Sequence, residues 1–448
     1  MSEIISNNKD IMETIQNIYK NAQPEDLRKL IAKHLMPTIE EKKKNAEIPT
    51  PVSLVDEMLD KIPENFWTNP KTVLEPCCGK GNFVLGIFDN LYEGLNEYKA
   101  NKVERCELII TKCLYYGDIT DLNVFTTTEL LKCHIKSKTG QEEINYEFNS
   151  YVGDTLDEKF TNAFNVNRFD AVIGNPPYNA SGATGTGSTI WQKFTKKALV
   201  EWIIPGGYLL FVHPSGWRKP NTSRGKLVNL YDLMVKDNQM LYLEIHELDD
   251  GKKLFNCGTR YDWYLIESLK RYKDTIINDG ERKTLTKDLG CLEWLPNSNI
   301  EEITKLLACS YDELCPVIYS TPYHGALKQQ MSYTNDETFK YPCVHSTLKT
   351  GTRYMYSTVN DKGHFGVSKV IIGESGINTP VIDINGIYGM TQGSFGIVIT
   401  DIEEGENISK ALQSVRFKKI IKSMMFSIYR IDWNVFKGLR KDFWKEFV

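Results

Sequence analysis

Between residues 72 and 212 short β-rich runs alternate with helical ones, and no other feature restricts the fold so sharply. Thr72-Val73-Leu74-Glu75 reads as a strand and 82–91 as a helix; 108–116 reads as a strand and 121–133 as a helix. Tyr151-Val152 and 169–174 are further strands, 189–203 a helix, and 208–212 a strand. Strand, helix, strand in repetition means βαβ units, and these build a parallel sheet covered on both faces. Two later runs, 241–245 and 261–266, are separated only by the turn-rich Asp249-Asp250-Gly251-Lys252-Lys253. They suit an antiparallel pair at the sheet edge. The expected fold is therefore α/β, a mixed, mostly parallel sheet with helices on both faces.

The rhythm fades after about residue 275, where Gly, Thr, Tyr and Asn dominate, as in Thr350-Gly351-Thr352-Arg353-Tyr354-Met355-Tyr356. Upstream, Ile11, Ile15 and Ile18, then Leu27, Leu30 and Ile31, fall at helical spacing. Pro49 and Pro51 break the chain, and a helix restarts at Ser53 with that serine as its expected N-cap. Three parts follow: a helical segment over 1–45, the α/β domain over 46–275, and a second domain over 280–448.

A net charge of −4 announces no polyanion partner, so any nucleic-acid contact must be a local basic patch. No apolar run approaches the ~18 residues of a membrane helix, and the N-terminus lacks a signal-peptide core, so no membrane partner and an intracellular, cytoplasmic setting are expected. The ten cysteines form no CxxC pair. They read as reduced thiols, with no metal site expected.

The segment 73–83, Val-Leu-Glu-Pro-Cys-Cys-Gly-Lys-Gly-Asn-Phe, follows the first strand and opens a helix. Gly79 and Gly81 allow a tight turn and close backbone approach to a ligand. By itself this is only a strand-to-helix turn. Its company sharpens it: Glu75 ends the first strand, Asp118 ends the second, and Asp154 follows the third. Carboxylates at the carboxyl ends of successive parallel strands outline an adenosine-shaped crevice, in which Asp118 can accept ribose hydroxyls and Asp154 an adenine amine. No lysine cluster for a pyrophosphate accompanies them, which favours S-adenosylmethionine over a dinucleotide.

The fourth strand, Phe169-Asp170-Ala171-Val172-Ile173-Gly174, stops at Asn175-Pro176-Pro177-Tyr178. Proline cannot donate to a sheet ladder, so the chain must turn away there. The turn leaves carbonyls facing the cleft, and Asn175 adds a side-chain acceptor. Two acceptors in one rigid corner suit an exocyclic amine, and Tyr178 offers a flat wall for a planar ring.

These residues resemble an amino-group DNA methyltransferase, specifically an N6-adenine enzyme of the gamma motif order and restriction-modification type. Asn175-Pro176-Pro177-Tyr178 is that family's catalytic motif, and Glu75-Pro76-Cys77-Cys78-Gly79-Lys80-Gly81-Asn82-Phe83 resembles its cofactor motif. Residues 46–59 resemble the extra cofactor motif that lies upstream in this order, with Thr50 and Pro51 at the methionine part. Residues 206–217 match the strand and turn after the catalytic motif. Residues 254–267 resemble the motif whose aromatic residue stacks on the extruded base, which places Phe255 there, although core packing suits Phe255 nearly as well. The resemblance covers roughly 45–270. It implies a Rossmann-like methyltransferase domain followed by a DNA target-recognition domain. The cofactor residues are then Thr50, Pro51, Glu75, Pro76, Gly79, Gly81, Phe83, Asp118, Ile119, Asp154 and Asn175.

The implied reaction moves a methyl group from S-adenosylmethionine to N6 of an adenine flipped out of double-stranded DNA. A monomer working beside a cognate restriction endonuclease is expected. Arg218, Lys219, Arg224 and Lys226 lie on a loop at the ligand edge and are candidate phosphate contacts, with an ordinary solvated loop the rival reading. The Gly/Ser/Thr-rich 179–189 is either a loop that orders over the base or a plain linker. In the second domain, His345, Arg353, Tyr354, Tyr356 and Gln392 are candidate base readers. Rival functions are a methyltransferase acting on protein glutamine N5 or RNA guanine N2, and a catalytically silent DNA-recognition subunit.

Overall fold

The computed structural model describes residues 13, 48–180, 189–220, 227, 229–255, 258–320, 323, 328–426 and 430–448. The expected helical segment over 1–45, apart from Glu13 in a helix, lies outside the described residues, as does 181–188. The chain divides into two compact units, one running to Glu293 and the other formed mainly by Trp294–Val448, with 218–220 and 279–281 belonging to the second.

In the first unit nine strands form one sheet in the order β3-β2-β1-β4-β5-β7-β6-β8-β9. They are β1 Val73–Glu75, β2 Leu114–Asp118, β3 Asn149–Val152, β4 Phe169–Gly174, β5 Ile203–Pro214, β6 Gln239–His246, β7 Tyr261–Glu267, β8 Thr275–Asn278 and β9 Thr284–Lys287. The first five pair in parallel, with Glu75 opposite Tyr116, Asp118 opposite Val152 and Gly174 opposite Phe211. Strand β7 runs antiparallel between β5 and β6. The sheet is thus mixed and mostly parallel over its cofactor half. The chain leaves β1 towards β2 and β3, and returns to place β4 and β5 on the other side of β1. That reversal opens a crevice beyond the carboxyl ends of β1 and β4.

Helices cover the sheet. Among them are α1 Val52–Leu59, α2 Asn82–Gly94, α3 Lys102–Leu108, α4 Asp121–Thr139, α5 Trp191–Lys197 and α6 Leu248–Phe255. Leu54, Val55, Met58 and Leu59 of α1 join one buried core with Val84, Ile87, Phe88 and Leu91 of α2. Their spacing is the 3–4 residue stripe of amphipathic helices. The N-cap of α1 falls two residues earlier than expected: Pro51 holds that position with no side-chain cap, so Ser53 lies inside the helix. Proline suits a helix start, where its missing N–H costs nothing.

Several elements differ from the sequence reading. The strand expected over 108–116 is only Leu114–Asp118; before it, α3 runs into one π turn over Ile109–Cys113. Asn101 starts that helix by accepting from Val103 N and Glu104 N at 2.9 and 3.2 Å. Cys106, Ile109, Ile110 and Cys113 are buried at helical spacing. Residues 249–253, read as a turn, belong to α6. The sheet also continues past residue 275, because β8 pairs in parallel with β6 and carries β9 with it.

The second unit holds two four-stranded sheets, β10-β17-β14-β15 and β11-β13-β12-β16. Its strands are β10 Val317–Tyr319, β11 Met331–Ser332, β12 Tyr341–Leu348, β13 Gly351–Ser357, β14 Lys369–Gly373, β15 Val381–Asp383, β16 Gly389–Met390 and β17 Ser394–Val398. Trp294, Ile303, Val370, Phe395, Ile408, Phe417 and Phe436 sit in its core. Lys369 and Asp383 form a fully buried ion pair across β14 and β15, 2.8 Å apart, and Asp383 also accepts from Ile387 N and Tyr388 N. No described helix of either unit is long and apolar enough to cross a membrane.

Candidate active site

A cavity of about 370 Å³ lies at the carboxyl ends of β1, β2 and β4. Of the residues expected to bind cofactor or substrate, Thr50, Pro76, Gly79, Phe83, Asp118, Ile119, Asp154, Asn175, Pro176, Pro177 and Tyr178 line it.

The loop from β1 to α2 is held by groups far away in sequence. Gly81, at φ 90° just before α2, adopts the left-handed conformation that favours glycine. Cys78 N donates to Gly117 O at 2.9 Å, and Thr127 Oγ1 donates to Gly79 O at 3.2 Å. Asp118 Oδ2 accepts from Gly79 N at 3.1 Å, while its Oδ1 accepts from Thr120 N at 2.8 Å and Asn123 Nδ2 at 3.1 Å. A carboxylate has about four lone-pair sites, so Asp118 keeps room for about one ligand hydroxyl rather than two.

The three strand-end carboxylates are not equivalent. Asp154 is exposed at the cavity wall, with Oδ1 accepting from Leu156 N at 2.9 Å. Glu75 is 1% exposed and does not line the cavity. Its Oε1 accepts from Cys77 N at 3.0 Å, and burial pushes its carboxyl well above the usual carboxylate range. Expected among the cofactor residues, Glu75 lies beneath the loop and braces it through Cys77 N. It also explains Gly174: a side chain there would collide with the Glu75 carboxyl. Pro51 and Gly81, also expected at the cofactor, are not among the residues lining the cavity.

The adjacent cysteines have separate places. Both line the cavity, but Cys78 is buried with Sγ 3.7 Å from Thr127 Oγ1, whereas Cys77 is only partly buried. Burial, reinforced by the Glu75 and Asp118 carboxylates, pushes the Cys77 thiol up, so it stays protonated and is a poor nucleophile.

The corner after β4 is organised differently. Asn175 Nδ2 donates to Ile48 O at 3.1 Å and to Thr50 Oγ1 at 3.0 Å. The Ile48 carbonyl can only accept, which fixes the amide orientation. Asn175 Oδ1 therefore points the other way, buried and, among the described residues, without a hydrogen-bond partner. Leaving a buried acceptor unpaired costs about 1–3 kcal/mol, which a ligand N–H would remove. Beside it, Tyr178 is 7% exposed, and its carbonyl accepts from Ile190 N at 3.1 Å. Asn179 and Thr189 pair as an antiparallel bridge, closing the ends of the expected loop.

The sequence reading did not single out Ile48, which orients Asn175, nor Lys193 and Phe194 of α5, which also line the cavity. Helical spacing places Trp191 and Phe194 inward, but nothing local separates Lys193 from its neighbouring lysines. Phe255 is not brought to the cavity. It ends α6 at 8% exposure, with its ring edge-on to Tyr261 at 4.9 Å. Arg218 is fully buried, donating to Leu295 O, Pro296 O and Asn297 Oδ1 at 3.1, 2.9 and 2.9 Å. It is a structural anchor of the second unit and not an open phosphate contact. Lys219 is half-buried, its ammonium 6.0 Å from the Phe426 ring and its pKa drawn down by burial. Arg224 and Lys226 lie outside the described residues.

Comparison with known proteins agrees with this geometry. Residues 90–255 match the Eco57I restriction-modification methylase family. An uncharacterized adenine-specific methylase of Mycoplasma pneumoniae is 27% identical over 276 residues, which is 47% of this chain and 64% of the relative. The match thus spans less than two thirds of that relative's length. Among solved structures, the ATP-dependent Type ISP restriction-modification enzyme LlaBIII bound to DNA aligns with 91% of this chain and 40% of its own, at TM-score 0.52 and 12% identity. A DrdV–DNA complex aligns with 95% and 58%, at TM-score 0.50 and 12% identity. Those two likenesses show the fold. Over residues 90–255, which include the strand end at Asn175-Pro176-Pro177-Tyr178, the chain is similar to the Eco57I restriction-modification methylase family.

Proposed function

We propose that the chain methylates N6 of an adenine flipped out of double-stranded DNA, with S-adenosylmethionine as donor. The observation that carries this reading is the buried, unpartnered Oδ1 of Asn175 at the end of β4. It is an acceptor fixed in place before any substrate arrives, which is what stabilising a reacting amine requires.

The cavity fits the donor. Its volume of about 370 Å³ falls in the range of small-molecule sites. Thr50 and Pro76 would face the methionine part, Asp118 a ribose hydroxyl, and Ile119, Asp154 and Phe83 the adenine end. Bound S-adenosylmethionine supplies the methyl electrophile. Asn175 Oδ1 takes one N–H of the substrate amine and the Pro176 carbonyl the other, so the nitrogen lone pair is aimed into the cavity. Tyr178 stacks on the flipped base, and stacking worth about 1–3 kcal/mol offsets part of the cost of unstacking. Held so, the amine nitrogen would face a donor seated against Thr50, Pro76 and Asp118, whose methyl group it would take up with loss of a proton. No enzyme thiol takes part, which accords with the raised pKa of Cys77. A monomeric chain, double-stranded DNA as partner, and a cognate endonuclease belong to the same proposal.

The test is product analysis. Duplex DNA is incubated with the chain and the donor, digested to nucleosides and weighed. N6-methyladenine is expected. Finding only 4-methylcytosine, or methylated protein glutamine or RNA guanine with DNA unmodified, would overturn the reading. A chain that binds DNA but transfers no methyl group would be the silent recognition subunit.

A further inference from the structure

The second unit contains five arginines, and four of them are occupied. Arg218 is held by the carbonyls and amide described above; Arg416 pairs with Glu302, Arg430 with Glu374 and Arg440 with Glu446. Arg353 differs. It is exposed on β13, and among the described residues no hydrogen bond or ion pair occupies its guanidinium. Yet it is not loose: its Cζ lies 4.8 Å from the centre of the Tyr333 ring. Tyr333 is itself 57% exposed, so its ring face is open to the guanidinium.

The strand beside it is distorted at the same point. Strands β12 and β13 pair antiparallel until the register shifts between Val344 and Ser346, so His345 is an extra residue in β12. Arg353 sits opposite Ser346, immediately past the shift. Bulges of this kind bend a strand and re-aim a side chain. Here the re-aimed ring stands edge-on to Tyr333, 6.2 Å away at 84°, and its Nδ1 is 2.7 Å from Thr391 Oγ1. Side chains from β12 and from the segment after β11, His345 and Tyr333, are thereby gathered beside the Arg353 guanidinium of β13.

We propose that Arg353, laid on Tyr333 beside the bulged His345, reads a guanine in the DNA target of this chain. This rests on the proposed function and names the residue that would give it sequence selectivity. The argument is chemical. A guanidinium offers parallel N–H donors, and guanine is the base whose major-groove edge presents two acceptors, O6 and N7, at matching separation. Stacking on an aromatic face holds the fork flat, so less freedom is lost on binding. A free, pre-oriented cation is complementary to a polyanion bearing acceptors. A carboxylate-bearing peptide would satisfy the charge but would need no aromatic backing.

The full chain is tested on a duplex library randomised around adenine, and methylated sites are read by modified-base sequencing. Wild type is compared with Arg353→Lys, Arg353→Ala and Lys349→Ala, the last removing a charge from the turn of the same hairpin. Thermal melting checks that each variant is folded. Wild type is expected to require guanine at one position, and both Arg353 variants to relax that position by roughly 5- to 150-fold, the value of one bidentate pair. Lys349→Ala is expected to slow all sequences alike. If Arg353→Lys keeps the wild-type selectivity, or if Arg353→Ala weakens every sequence equally, Arg353 is a phosphate contact and the inference falls while the proposed function stands. Relaxation at a base other than guanine also overturns it. A wild-type chain that methylates no DNA overturns both.

Discussion

Two polar side chains end strands that flank β1 in the same sheet, and they have opposite fates. Asp118, at the end of β2, accepts three hydrogen bonds from its own protein, 2.8–3.1 Å long. Asn175, just past β4, uses both donors of its amide internally and leaves its oxygen buried and, among the described residues, unpaired. The first residue holds the glycine-rich loop in shape, and its loss is a loss of structure. The second holds a free-energy deficit that only a ligand relieves, and its loss is a loss of chemistry. Carboxylate or amide identity alone does not distinguish these roles; the count of satisfied atoms does.

Replacing each residue should separate the two effects. Asn175→Ala should lower the methylation rate by about 10²–10³-fold, as for loss of one pre-organised polar contact. Its unfolding free energy should change by only about 1 kcal/mol, since two modest hydrogen bonds are exchanged for the relief of one orphan acceptor. An Asn175→Ala protein with near-full activity in a methylation assay would break the comparison at its centre. Asp118→Ala should show the reverse emphasis. Losing the shared acceptor of three donors should cost about 2–4 kcal/mol in denaturant unfolding. Cofactor affinity measured by calorimetry should fall with it, because Gly79 is no longer held. If Asp118→Ala unfolds like wild type, the loop does not depend on that brace.

A third polar group sharpens the rule by titration. His213 on β5 is fully buried, stacked on Trp191 at 4.1 Å, with Nε2 2.8 Å from Tyr264 Oη. Burial lowers its pKa from 6.5 to about 3. The folded chain therefore keeps it neutral while the unfolded chain protonates it. The stability it contributes is whole above about pH 6.5 and is lost as pH falls towards about 3. The slope should be roughly 1.4 kcal/mol per pH unit. His213→Phe should flatten the acid limb of a stability–pH curve; an unchanged limb would show that other groups set it. The smallest effect is expected at Tyr178. Tyr178→Phe keeps the ring and should retain activity within about threefold, whereas Tyr178→Ala should lose the stacking worth about 1–3 kcal/mol. Equal damage from both, measured as kcat/KM, would assign the role to the hydroxyl.

Much of the site was legible because its parts are local. Asn175 to Tyr178 are consecutive, and two prolines force a turn wherever the strand ends. Gly79 and Gly81 precede a helix, and the backbone conformation at Gly81 is the one glycine permits. The placement of other residues was not legible, for want of distant partners. Glu75 reads as a third ligand-facing carboxylate, but it is packed against Gly174, far away in sequence, and faces the floor. Phe255 follows a motif, yet α6 turns its ring onto Tyr261. The strand expected at 108–110 became helix because the Asn101 cap and the spacing of four buried residues outweighed a β-rich triplet.

Arg218 and Arg353 state the division most plainly. Both stand beside aromatic and polar residues in sequence, and both are candidates for touching DNA. From sequence alone follow the alternation that demands a parallel sheet, the strand end that must carry a rigid acceptor corner, and the absence of CxxC pairs. Tertiary structure decided which polar atoms are already satisfied: Arg218 by the carbonyls at 295 and 296, Arg353 by none among the described residues, Asp118 three times over, Asn175 Oδ1 not at all. The physical reason is range. Strand, helix and turn preferences act over a few residues, whereas satisfaction of a buried hydrogen-bonding atom depends on groups that only the completed fold brings within about 3 Å.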